Sequence, residues 1–146
     1  MAFDIYVFDL FAAPRDRYDF LDWIRRSFRD LDGPLAGDAA RLTPALRAWH
    51  SEIARTFPGE GDPHRFEAES SNSVRNASYR FTPSSIQASF DWESSGVALQ
   101  RARRAAQAHV VGLFEASNHD GAVWMLSKRN RWEIVHREDD AGRNFG

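Results

Sequence analysis

The stretch Tyr79-Arg80-Phe81-Thr82-Pro83-Ser84-Ser85-Ile86-Gln87-Ala88-Ser89-Phe90-Asp91-Trp92 decides the fold class. Tyr79 and Phe81 alternate with Arg80 and Thr82; Ile86, Ala88, Phe90 and Trp92 alternate with Gln87, Ser89 and Asp91. A period of two sends successive side chains to opposite faces, so this is β structure with one dry and one wet face. The break at Pro83-Ser84 leaves two arrangements open, a hairpin or one long strand bent at the proline.

Upstream, Ile5 to Leu10 is an apolar run rich in β-branched and aromatic residues and reads as a buried strand that Ala13-Pro14 ends. From Arg15 to Phe28 the period changes. Phe20, Leu21, Trp23, Ile24 and Phe28 recur at spacings of three and four, with Asp16, Asp19 and Asp22 early and Arg25, Arg26 and Arg29 late, as a helix dipole favours. Thr43-Pro44 supplies a cap and first position for a second helix, whose stripe Leu46, Trp49, Ile53 and Phe57 ends at Pro58-Gly59. Glu60 to Asn76 has no period and reads as a long loop, a feature compact domains usually reserve for function.

Downstream, Ser94 or Ser95 caps a third helix to about His109, with Ala98, Ala102, Ala105 and Ala106 inward. Val110 to Phe114, Val123 to Leu126 and Trp132 to His136 read as strands, with the first turn at Asn118-His119-Asp120-Gly121 and the second at Lys128-Arg129-Asn130. From Glu138 the chain is polar and reads as a frayed tail. The order is β-α-α-β-β-α-β-β-β: one α+β domain over residues 1–146, a mostly antiparallel sheet with about three helices packed on one face.

The chain has 146 residues and a net charge of −2, with no cysteine and Lys128 as its only lysine. Absent cysteine excludes disulfides, thiolate metal sites and cysteine nucleophiles. Near-balanced charge argues against nucleic-acid binding. No uncharged run is long enough for a signal segment or membrane span, so the expected location is the cytoplasm, with no membrane partner.

Chemical motifs fail one by one. His50-Ser51-Glu52 resembles half of a zinc deaminase signature whose other half requires cysteines. His119-Asp120 falls in a turn where Asn, Asp and Gly serve backbone geometry. His50, His64, His109, His119 and His136 form no chelating spacing, so no metal and no cofactor is expected. There is no nucleophile elbow and no phosphate-cradling glycine turn, and Glu93 with Glu115 is only a formal carboxylate pair. No catalytic residue is therefore assigned. Arg101, Arg103 and Arg104, with Lys128, Arg129 and Arg131, read as solvated charge. More suggestive is acidic charge: Glu60, Asp62, Glu67 and Glu69 face a single Arg65 in the long loop, with Asp16, Asp19 and Asp22 as a second acidic face. Such charge suits capture of a basic protein partner.

Phe3-Asp4-Ile5-Tyr6-Val7-Phe8-Asp9, Ala13-Pro14-Arg15-Asp16, Phe20-Leu21-x-Trp23, Thr43-Pro44-Ala45-Leu46-x-x-Trp49, Thr56-Phe57-Pro58, Phe90-Asp91-Trp92 and Val111-Gly112-Leu113-Phe114 together cover most of residues 3–126. In these stretches the chain resembles small bacterial proteins, some of which look like immunity proteins of polymorphic or contact-dependent toxins. The resemblance implies a non-enzymatic protein that binds a cognate toxin and occludes its active site. The alternatives are a small hydrolase or transferase whose histidines and carboxylates converge only in the fold, or an effector adaptor or chaperone.

Overall fold

Strand β1 (Ala2–Phe8) is apolar on both sides, and the layout follows from that. Phe3, Ile5 and Val7 belong to one apolar cluster, while Phe8 and Tyr6 belong to another on the opposite face. A strand greasy on both faces must lie inside a sheet covered twice. The computed structural model describes residues 2–29, 39–59 and 77–137. Within them β1 lies between β3 (Ser85–Asp91) and β4 (Gly112–Phe114). With β2 (Ala77–Thr82), β5 (Val123–Leu126) and β6 (Trp132–His136), the sheet runs β2-β3-β1-β4-β5-β6, every neighbouring pair antiparallel.

The expected α+β class and antiparallel sheet are present, with helices α1 (Arg17–Arg29), α2 (Pro44–Ala54) and α3 (Ser95–His109). Their placement differs from a single-faced layer. Helices α2 and α3 cover the Ile5 face, and α1 covers the Phe8 face. Tyr6 and Phe8 are the reason, since a bare second face would leave both rings in water.

On the Ile5 face, fully buried Trp49 donates its indole N–H to the Ala102 carbonyl at 3.2 Å, tying α2 to α3. Ala98, Ala102, Ala105 and Ala106 let α3 approach closely, each 0–1% exposed. Thr43 caps α2 by accepting from the Leu46 N–H, with Pro44 following, as the sequence indicates. His50 packs edge-on against Tyr79 and Phe81 at 4.8 and 5.0 Å.

On the other face, Phe20, Ile24 and Phe28 bury against Phe8, Val123 and Met125, with Phe8 and Phe20 4.8 Å apart. Helix α1 spans the sheet and is pinned at both ends. Arg17 donates to the Arg137 carbonyl just past β6, and Arg80 of β2 donates to the Phe28 carbonyl at 3.1 Å. Arg80 also donates to Gln87, which donates to the Tyr6 hydroxyl, carrying a polar chain across the edge of this layer.

Pro83-Ser84 closes a hairpin, which settles the first of the two arrangements. Strand β1 starts earlier than the apolar run because Asp4 has partners: Ser89 donates to its carboxylate at 2.5 Å, and Ser117 accepts its N–H at 2.9 Å. Helix α3 begins without a side-chain cap from Ser94. It ends on Val110 at φ 56°, a left-handed conformation that a β-branched residue adopts at a cost.

Two substitutions test the packing at β4. A Cβ on Gly112 would lie 2.1 Å from the ring of buried Phe8, so Gly112→Ala is expected to destabilise the fold by about 2–3 kcal/mol. Val110→Gly is expected to stabilise it by about 1 kcal/mol through relief of the left-handed strain. Denaturant midpoints check both, and equal midpoints for wild type and Gly112→Ala would contradict the packing.

Candidate functional site

At the Phe8 end of the sheet lie the β1–α1 connection, the β2–β3 turn, the α3–β4 junction and the β5–β6 turn. Asp9 organises the first of these. Its N–H donates to the Ser84 carbonyl at 2.9 Å, its carboxylate accepts from the Phe11 N–H at 2.8 Å, and its carbonyl accepts from Ala12 and Ala13. An aspartate that bonds its own backbone two residues on locks a turn. The locked turn holds Phe11 wholly in solvent, 101% exposed. Tyr18 and Val110, 58% and 49% exposed, add apolar surface on α1 and at the α3–β4 junction.

Beside this turn lies a cleft of about 410 Å³, lined by Arg15, Lys128 and Arg129 around apolar Met125, Ile134 and Val135. Arg15 is held in place twice. Its guanidinium donates to the Leu126 carbonyl at 3.0 Å, and its own carbonyl accepts from His136 Nε2 at 2.9 Å. Glu133 in the wall is engaged by Arg129 at 3.2 Å, and hydrogen bonds from Ser127 and Arg129 hold its carboxyl below the usual range. Lys128 is exposed and makes no ion pair or hydrogen bond among the described residues.

A second ionic centre lies inside the domain. Glu115, 0% exposed, accepts from Arg103 Nε at 2.6 Å and Nη2 at 2.7 Å, from Asn118 Nδ2 at 2.7 Å and from Trp124 Nε1 at 2.6 Å. Burial pushes the carboxyl up, but the Arg103, Asn118 and Trp124 donors outweigh it and hold Glu115 ionised, below its ordinary range. Arg103 lies 5.4 Å over the Trp124 ring, which stacks on Trp132 at 4.7 Å. The cluster joins α3 to the β4–β5 connection. With each oxygen accepting two donors, the carboxylate is poised to hold structure rather than to move protons.

The residues singled out in the sequence fall as follows. Glu60, Asp62, Glu67 and Glu69 lie outside the described residues, as does the tail from Glu138. Asp16 is spoken for as the cap of α1, accepting from the Tyr18 and Asp19 N–H groups at 3.0 and 3.1 Å. Asp22 pairs with Arg26 at 2.9 Å on the surface, and Asp19 is exposed. Glu93 is exposed and Glu115 buried, so they share no environment. Among the described residues the histidines do not gather: His109 sits 3.8 Å from Glu52, His119 is exposed in the β4–β5 turn, and His136 holds Arg15, while His64 lies outside the described residues. The arginines read as solvated charge divide three ways, and Arg103 departs from that reading. Arg103 serves Glu115, Arg101 and Arg104 line a groove of about 380 Å³ with Glu52 and Thr56, and Arg129 lines the cleft with Arg15.

Phe11 and Arg15 were not among the sequence candidates. Phe11 fits neither the strand alternation before it nor the helical stripe after it, and an aromatic outside both periods is the signal that marks it. Comparison with known proteins finds no matching family model, curated protein or solved structure.

Glu115 generates a prediction with a definite sign. Its stabilising contribution is complete above its ordinary value near 4.5 and is lost as the pH falls through the lower folded value. Glu115→Ala is expected to cost about 3 kcal/mol near neutral pH. Glu115→Gln should flatten the acid side of the stability profile measured by urea titration from pH 7 down to 3. An unchanged acid slope in Glu115→Gln would assign that loss to other groups.

Proposed function

We propose that this domain is a non-catalytic, cytoplasmic immunity protein that binds a cognate bacterial toxin and occludes its active site through the Phe11 end of the sheet. The observation that carries this reading is the full exposure of Phe11 on a turn whose backbone Asp9 has already fixed. A large apolar ring held out in water costs free energy in the free protein, and a rigid exposed aromatic is the type of side chain that anchors a protein interface. The turn bears the ordering cost in advance, so binding need not supply it.

Val110 supports the same end. A β-branched residue in the left-handed region, where glycine would be unstrained, keeps an apolar side chain exposed there. The opposite end of the sheet competes less well. Trp92 is 49% exposed and already rests on Phe3 at 5.4 Å, and Val97 is 40% exposed. Asp19 on α1 and the acidic residues Glu60, Asp62, Glu67 and Glu69 remain part of the proposal as charge that steers a partner, alongside Asp16 and Asp22 in their structural roles.

The test captures the toxin with tagged protein from the host lysate and then expresses it with and without this chain. The chain is expected to restore growth. Phe11→Ala is expected to abolish protection and to weaken binding about thirtyfold or more, the scale of an interface anchor, with its thermal midpoint unchanged. Full protection by Phe11→Ala, or a captured partner that stays active in the complex as a chaperone's client would, contradicts the reading.

A further inference from the structure

We infer that the cleft between Arg15 and the β5–β6 turn is a docking site for an extended acidic peptide segment of a protein partner. The inference rests on the reading that this domain works by binding protein, and it specifies the chemistry of one part of that partner.

Charge is the first ground. Glu133 is already engaged by Arg129 and Ser127, so the carboxylate in the wall is occupied. Among the described residues Arg15 donates to a neutral carbonyl and to no carboxylate, which positions its guanidinium without cancelling its charge. Lys128 has no partner among the described residues. Two cations with no carboxylate partner among the described residues therefore line one cleft in a chain whose net charge is −2. Their complement is a pair of carboxylates.

Shape and surroundings favour a peptide. Met125, Ile134 and Val135 give the cleft an apolar lining between its cations, a pattern that matches acidic side chains interspersed with aliphatic ones. At about 410 Å³ the cleft accommodates a few side chains. Its wall is β6, the last strand of the sheet among the described residues. An outer strand presents backbone N–H and C=O groups to an incoming extended chain. A nucleic-acid strand calls instead for a continuous row of cations along its phosphates, and here Glu133 interrupts the row.

The test uses the full chain and three fluorescein-labelled probes in an anisotropy titration: a dodecapeptide repeating Glu-Leu-Ser, its Lys-Leu-Ser counterpart, and a single-stranded DNA dodecamer. Saturable binding of the glutamate peptide is expected, weakening with salt. Lys128→Glu is expected to weaken it about tenfold, while Arg101→Glu, in the groove between α2 and α3, leaves it within about twofold. Lys128→Gln serves as the milder variant if the reversal shifts the thermal midpoint, with an intermediate loss expected. No saturable binding of the glutamate peptide, equal or tighter binding of the lysine peptide or the DNA, or indifference to both Lys128 variants overturns the inference. Failure here is separable from failure of the immunity reading. Loss of protection by Phe11→Ala without any peptide binding would refute the cleft alone, whereas peptide binding with full protection by Phe11→Ala would refute the Phe11 anchor alone.

Discussion

The two-sided apolar character of β1 is the constraint on which the rest of the structure depends. Ile5 and Val7 on one side and Phe8 on the other are each 0% exposed, and no single helical layer can achieve that. The chain meets the requirement by placing β1 inside the sheet and a helical layer on each face. Helix α1 leaves β1 through the Asp9 turn to reach the second face, so the connection bearing Phe11 is a direct consequence of covering Phe8.

Around that arrangement the polar groups work as fasteners. Glu115 joins α3 to the β4–β5 connection through Arg103, Asn118 and Trp124, and the indole of Trp132 donates to the Val111 carbonyl at 2.9 Å, holding β6 to the α3–β4 junction. Arg17 and Arg80 hold the two ends of α1. These contacts join elements distant in sequence: the Glu115 cluster fastens the far end of β4, while at the Phe8 end the Trp132–Val111 bond and the Asp9 turn hold the backbone in place. Rigidity matters for the proposed role because an interface formed by fixed elements loses little entropy on binding.

Much of the architecture was legible in the sequence. The alternation at Tyr79 to Asp91, the Thr43-Pro44 cap and the alanine stripe of α3 each reflect a local period or cap, and each corresponds to an observed element, whereas Trp92, expected on the dry face, starts a short 3-10 helix after β3 and is half exposed. What stayed hidden depends on long-range pairing. Asp4 argued against a strand until Ser89 and Ser117 supplied partners 85 and 113 residues away. Likewise, Glu115 reads as a solvated charge at a strand end because Arg103 and Trp124 approach it only in the fold. The division of helices between two faces was visible in principle in Tyr6 and Phe8, whose apolar character breaks a simple dry-and-wet alternation. The candidate site was less legible still, since Arg15 and Lys128 come together only through the β5–β6 hairpin.

Function in this account is carried by one end of the sheet, where an exposed aromatic, a strained valine and a cationic cleft adjoin the ends of four strands. The most direct measurement of that claim is amide hydrogen exchange of the chain with and without its captured protein partner, read by mass spectrometry. The account predicts new protection concentrated at residues 9–16, 110–111 and 127–131. Protection confined to the Trp92–Val97 end, with the Phe11 turn exchanging as in the free protein, would contradict it.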